Sequence, residues 1–134
     1  MSWDVVFTRT KTNSERLDEI EEENIIPFSR QALVDEAEKA AALTNAECLY
    51  SDLSFVNMEG SGWSIEFYIG DAEPVQSVML AVRGEKEPTE VFRHFAQAFN
   101  ARIVDCGTGD FMDFSKPSGF EDWKAYRNQM INGE

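Results

Sequence analysis

The sequence predicts a single α+β domain over residues 1–134, in which a mostly antiparallel sheet of about five to six strands carries helices packed on one face. Three observations predict this class: strand-like alternation of apolar side chains, short glycine-containing turns between strands, and three segments with helical periodicity. With 134 residues, of which 43% are hydrophobic, the chain is long enough to bury one substantial core.

The first strand and the segment after it differ in composition. Trp3, Val5 and Phe7 recur at every second position, which favours a half-buried strand. The stretch 15–23 then contains six acidic residues and a single arginine. Because this stretch has little apolar area with which to anchor a helix, we predict an acidic connector over residues 9–28 with at most one helical turn.

Two amphipathic helices are predicted to cover the sheet. Ser29 is suited to cap the first helix, which ends near Leu43. Pro88 lies in the first turn of the second helix, where its missing N–H is tolerated. The apolar stripe of this second helix consists of Val91, Phe92, Phe95, Ala98 and Phe99. It should be the main helix of the core.

The middle of the chain predicts a meander of strands over residues 53–58, 63–69 and 77–83. In the second of these, Trp63 and its alternate neighbours share the core face, so Glu66 and Tyr68 should project from the opposite face. The third strand is apolar on both faces, which is typical of a central strand.

The last third of the chain predicts a hairpin and a closing helix. Strands at 103–106 and 111–114 flank a Gly-Thr-Gly-Asp turn. Ser118 and Glu121 then have the spacing of a capping box. The side of the closing helix expected to face the domain consists of Phe120, Trp123, Arg127, Met130 and Ile131.

Motifs for known catalytic and metal chemistry are missing from the sequence. Its one histidine, His94, lies away from the phenylalanine stripe and is expected on the solvated surface, which disfavours a Ser-His-Asp triad or a histidine metal pair. Cys48 and Cys106 are far apart and have no Cys-x-x-Cys partner, so two reduced thiols are expected. Asp105, Asp110 and Asp113 lack the spacing of a calcium loop. We therefore expect no metal and no cofactor.

The net charge of −13 narrows the choice of partner. Lysine and arginine supply most contacts to phosphate, and here they are few and scattered, so direct binding to nucleic acid or to an anionic membrane is disfavoured. The longest unbroken apolar run, 78–82, is far too short to span a bilayer, and no secretory leader is evident, so we expect a cytoplasmic protein. The expected partner is a neutral or basic protein.

The candidate contact residues combine acidic side chains with one exposed aromatic side chain. Acidic groups in the connector and in the segment 71–73 are suited to attract a cationic protein. The candidates are Glu19, Glu22, Glu23, Glu66, Tyr68, Asp71 and Glu73.

Four blocks of the sequence look familiar together: Met-Ser-Trp-Asp-Val-Val at 1–6, the run 59–67, the segment 70–75 with the strand that ends Val-Arg-Gly at 82–84, and Asp-Cys-Gly-Thr-Gly-Asp-Phe at 105–111. They resemble a family of small bacterial proteins, some of which look like immunity proteins of contact-dependent or polymorphic toxin systems. No catalytic motif comes with these blocks.

The resemblance implies an immunity protein that binds and neutralises a cognate, basic, nuclease-type toxin domain by occluding its active site or substrate groove. Two alternatives remain open. One is a structural or assembly module that forms a homodimer through an exposed sheet edge or face, and the other is a small enzyme that uses paired carboxylates. We expect a binding protein and not an enzyme.

Overall fold

A seven-stranded antiparallel sheet forms the centre of the computed structural model, which describes residues 1–132. The strands are β1 (Trp3–Thr8), β2 (Glu47–Asp52), β3 (Phe55–Glu59), β4 (Trp63–Tyr68), β5 (Val78–Gly84), β6 (Arg102–Asp105) and β7 (Asp110–Phe111). Their order across the sheet is β2-β3-β4-β5-β1-β6-β7. The helices are α1 (Arg30–Thr44), α2 (Thr89–Phe99) and α3 (Phe120–Asn132). The predicted α+β class is confirmed, although seven strands exceed the five to six expected.

Strand β2, at one edge of the sheet, is the element that the sequence did not predict. It pairs with β3 from Glu47 opposite Glu59, and its register shifts between Leu49 and Asp52. Cys48 packs against the core, and its thiol lies 3.6 Å from the carbonyl oxygen of Ala37 in α1. An edge strand with one partner and a register shift needs little apolar patterning, so its sequence signal is weak.

The core lies between the sheet and the helices. Alternate residues of the central strands point to this side, and the rings of α2 pack on them, as predicted. Phe95 stacks on Phe7 with ring centroids 5.0 Å apart. Trp3 makes edge contacts with Phe92 at 5.8 Å and with Phe120 at 5.4 Å. These contacts join β1 to α2 and α3 through aromatic side chains.

Helix α1 begins as predicted, because the hydroxyl of Ser29 accepts a hydrogen bond from the amide of Ala32 at 3.2 Å. His94, however, is not on the solvated surface. Its Nε2 lies 3.4 Å from Oε1 of Glu36, and both side chains are largely buried where α1 and α2 meet. The prediction was wrong because α1 packs beside α2 and covers the side of α2 that faces away from the phenylalanine stripe.

Only the beginning of α3 packs on the core. Phe120 is buried and Trp123 is half-buried, whereas Met130 is 56% and Ile131 is 73% exposed. The prediction that the last two would face the domain is therefore wrong. Arg127 reaches the sheet through a hydrogen bond to the carbonyl oxygen of Gly84 at 2.8 Å. Helices α1 and α2 already cover the sheet face, so α3 attaches by its first turns.

A buried carboxylate helps to start α3, and only the serine of the predicted capping box takes part: the hydroxyl of Ser118 accepts a hydrogen bond from the amide of Phe120 at 3.2 Å. Asp105, at the end of β6, is 2% exposed. Its Oδ2 accepts a hydrogen bond from the amide of Gly119 at 2.9 Å, and its Oδ1 accepts bonds from the indole of Trp3 at 3.1 Å and from the amide of Gly107 at 2.8 Å. Glu121 is exposed and pairs with Lys124 instead. Asp105 thus joins β1, the β6–β7 turn and α3.

The acidic connector is ordered along one end of the sheet. It contains two short 3-10 helices, Leu17–Glu19 and Glu22–Asn24, where one turn was expected. Glu15 anchors it: Oε2 accepts a hydrogen bond from the hydroxyl of Thr10 at 2.7 Å and lies 3.5 Å from the guanidinium of Arg102. The Thr10 hydroxyl, followed by the backbone amide of Glu15, lowers the pKa of this carboxyl from 4.5 to about 2.

We predict that the Glu15→Gln variant loses less stability than the wild type when the pH is lowered. A carboxyl with a lowered pKa in the folded state stabilises the fold above its unfolded value of 4.5, and this contribution disappears as the pH falls to about 2. The difference in unfolding midpoint between wild type and variant should therefore be largest near neutral pH and shrink towards pH 2. Urea unfolding over this range measures it, with the exposed Glu19→Gln as control. A difference that stays constant with pH would contradict the prediction.

Candidate functional site

The face of the sheet without helices is the candidate functional surface, and we call it the open face. Alternation along each strand places Asp4 and Val6 of β1 there, because their neighbours Trp3, Val5 and Phe7 are buried on the helix side. The strand registers extend this assignment across the sheet. None of the helices described within residues 1–132 is both long and apolar enough to cross a membrane.

A line of apolar side chains crosses the open face through six strands. The registers place Phe55 opposite Tyr68, Tyr68 opposite Met79, Met79 opposite Val6, Val6 opposite Val104, and Val104 opposite Phe111. We call these six residues the apolar row. Directly opposed side chains on one face are close enough to touch, so these six side chains form a contiguous row across the sheet.

The exposed part of the apolar row lies on β3, β4 and β5. Phe55 is 37%, Tyr68 is 41% and Met79 is 40% exposed, whereas Val104 is covered. The rings of Phe55 and Tyr68 make a T-shaped contact with centroids 5.4 Å apart. Leu49 of the edge strand is also exposed, opposite Asn57 on the same face. Adjacent exposed aromatic and apolar side chains of this kind are typical of a protein-binding surface.

A second line of residues runs beside the apolar row and includes two carboxylates. It runs through Asn57, Glu66, Ala81 and Asp4, which the registers place side by side, and we call it the polar row. Glu66 accepts a hydrogen bond from the hydroxyl of Tyr68 at 2.7 Å and forms an ion pair with Arg83 of β5. Glu66 and Tyr68 are thus neighbours on the face predicted for them.

Asp71 and Glu73 lie in the loop between β4 and β5, around Arg30 at the start of α1. The guanidinium of Arg30 lies 3.4 Å from Oε2 of Glu73 and donates a hydrogen bond to the carbonyl oxygen of Asp71 at 3.3 Å. Oε2 of Glu73 also accepts a bond from the backbone amide of Arg30 at 3.2 Å. Glu73 therefore supports the first turn of α1, and Asp71 keeps its carboxylate exposed.

The connector and the β4–β5 loop meet at the same end of the sheet, because β1 and β5 are antiparallel and Phe28 bridges to Val75. The bridge from Thr10 to Ile25 returns the connector to the end of β1, so Glu22 and Glu23 lie at this end together with Asp71 and Glu73. Glu19 follows Leu17 and Asp18, which line a groove with β7 and the start of α3. Glu19 lies 3.5 Å from Arg16. Within the described part of the chain, Glu22 and Glu23 form no ion pair, and both are exposed. The structure therefore places Glu22, Glu23, Asp71 and Glu73 at the end of the sheet where β4 ends in Tyr68, and it places Glu19 elsewhere on the connector.

The acidic groups at the other side of the molecule do not form a metal centre. Within residues 1–132, no group of three or more His, Cys, Asp or Glu side chains is placed to hold a metal ion. An open groove of about 1040 Å³ runs between the connector, β7 and the start of α3. Asp105 borders this groove, but its oxygens are occupied by Trp3, Gly107 and Gly119.

Sequence reasoning missed several residues of the open face. Phe55, Met79 and Leu49 were not among the candidates. The apolar pattern on both faces of 77–83 was the available signal, because it predicts an exposed Met79 wherever one face of the sheet lacks helices. The pattern could not reveal which of the two faces the helices leave free. Comparisons with protein families, with curated proteins and with solved structures found no match for this chain.

Proposed function

We propose that this protein is a cytoplasmic immunity protein, which binds a basic, nuclease-type toxin domain through the open face and occludes its active site or substrate groove. The observation that carries the proposal is the exposed apolar row beside carboxylates on a protein with a net charge of −13. Protein interfaces commonly combine such an aromatic centre with a polar rim.

The arrangement favours a cationic partner over a second copy of this chain. Two copies that met through their open faces would bring two charges of −13 together, and repulsion would oppose their association. A basic domain would instead be attracted by the acidic end of the sheet and then settle on Phe55, Tyr68 and Met79. Charge would set the rate of encounter, and burial of the apolar row would set the lifetime of the complex.

The proposal is tested with the C-terminal domain of any large secreted protein encoded next to this chain. We expect the two proteins to co-purify in equal amounts and the bacterial host to survive expression of the toxin domain only when this chain is present. Absence of a complex with an intact toxin domain would refute the proposal. A tight dimer in sedimentation over a concentration series, with no partner bound, would support the homodimer alternative instead.

We predict that Glu22→Lys with Glu23→Lys slows association with the toxin domain about tenfold at low salt, because these carboxylates contribute to long-range attraction. The dissociation rate should stay within about twofold, since rim charges act mainly on encounter. Stopped-flow or surface-binding kinetics at two salt concentrations measure both rates. The control reverses two exposed carboxylates on the helix side, Asp35→Lys with Glu90→Lys. Equal slowing by both pairs would show that only net charge matters.

A further inference from the structure

A second concave surface lies at the margin of the open face, where the start of β1 meets α3. This groove has a volume of about 460 Å³, and Asp4, Cys106, Asp122, Trp123 and Tyr126 are among the residues that line it. Asp4 also belongs to the polar row, so the groove is continuous with the open face.

The wall contributed by α3 is aromatic. Trp123 and Tyr126 are three residues apart and therefore lie on one side of the helix, and Tyr126 is 54% exposed. The guanidinium of Arg127 already covers the ring of Trp123 at 5.1 Å from its centroid. Arg127 is not among the residues that line the groove, so the groove reaches Trp123 from another side. Phe120 also lies 5.5 Å from the ring of Trp123, so Tyr126 provides most of the aromatic surface that this wall offers to a ligand.

The groove is electrostatically negative. Asp4 and Asp122 line it, and no lysine, arginine or histidine does so among the described residues. Lys124 pairs with Glu121, and Arg127 with Glu85, both outside the groove. The carboxylate of Asp105 offsets the positive end of α3. Partial burial of its sulfur raises the pKa of Cys106, and the carboxylates of Asp4 and Asp105 raise it further.

We propose that this groove binds the guanidinium of an arginine side chain supplied by the partner. A guanidinium is planar, is weakly hydrated for a cation and stacks on aromatic rings, so the walls formed by Trp123 and Tyr126 suit it. The carboxylates of Asp4 and Asp122 supply the complementary charge. The inference rests on the proposed function, because a basic toxin domain offers arginines, and it adds an anchor point beside the apolar row.

The test uses the full chain with ¹⁵N-labelled tryptophan and the probe N-acetyl-arginine-N-methylamide. We expect the indole signal of Trp123 to shift in a saturable way, while that of Trp63, which does not line the groove, stays in place. The citrulline analogue has nearly the same shape without the charge and should bind at least about fivefold more weakly. Equal shifts with both probes would refute the proposal.

Variants distinguish binding of the probe in the groove from general attraction of a cationic probe to an acidic protein. Asp4→Asn with Asp122→Asn should weaken binding of the arginine probe about tenfold. Asp35→Asn with Glu90→Asn removes the same charge from the helix side and should change it less than about twofold. Equal weakening by both pairs would overturn the assignment. Thermal unfolding checks that each variant is folded.

Failure of the arginine-site proposal can be distinguished from failure of the proposed immunity function. If the probe does not bind but the toxin domain is still captured through the open face, the groove is not an anchor and the immunity function stands. If the arginine probe binds as expected and no toxin domain is captured, the groove is an arginine site in a protein of another function.

Discussion

Asp105→Ala is expected to lower the free energy of unfolding by about 3 kcal/mol, because it leaves buried donors without acceptors. The carboxylate accepts hydrogen bonds from the indole of Trp3 and from the amides of Gly107 and Gly119. Each buried donor that loses its acceptor costs about 1–3 kcal/mol. The carboxylate also requires a glycine at position 119, because a Cβ atom at Gly119 would lie only 2.5 Å from Oδ2.

Urea unfolding of wild type and variant measures this effect as a lower midpoint at unchanged slope. The matched control is Asp110→Ala, which removes an exposed carboxylate from the same hairpin and should cost less than about 0.5 kcal/mol. The indole signal of Trp3 should also shift in the variant, because that N–H loses its acceptor. Similar midpoints for the two variants would contradict the structural role of Asp105.

Local patterns in the sequence were sufficient to predict most of the helices and strands. The alternation in β1 and β4, the phenylalanine stripe of α2 and the Ser29 cap all act within a few residues, and each was predicted. The placement of Glu66 and Tyr68 opposite the core followed from the same alternation. Each of these features depends on the spacing of apolar residues within one segment, and that spacing can be read from a single sequence.

The features that were missed depend on contacts between distant parts of the chain. Asp105 reads as part of a glycine turn, but its partner Trp3 is 102 residues away. His94 appeared solvated because nothing in α2 indicates that α1 lies beside it. The apolar row depends on the order of the strands in the sheet, because each of its members comes from a different strand. Tertiary neighbours, and not local propensity, determine each of these sites.

The largest effect on binding is expected from Tyr68→Ala, at the centre of the exposed part of the apolar row. Tyr68 contacts Phe55 at 5.4 Å between ring centroids and lies opposite Met79, so its removal opens a gap between the two. A buried tyrosine at the middle of an interface is worth about 2 kcal/mol, which corresponds to about 30-fold weaker binding of the toxin domain. The loss should lie mainly in faster dissociation, because truncation leaves the long-range charges unchanged.

Tyr50→Ala provides the matched control for this prediction. Tyr50 is 44% exposed against 41% for Tyr68, and both belong to the same sheet. Tyr50, however, lies on the helix side, where Glu38 raises the pKa of its hydroxyl through a hydrogen bond. Tyr68→Phe removes only the hydroxyl that binds Glu66 and should retain most of the affinity. If Tyr50→Ala accelerates dissociation as much as Tyr68→Ala, the toxin domain does not bind the open face, because only one of these tyrosines lies there.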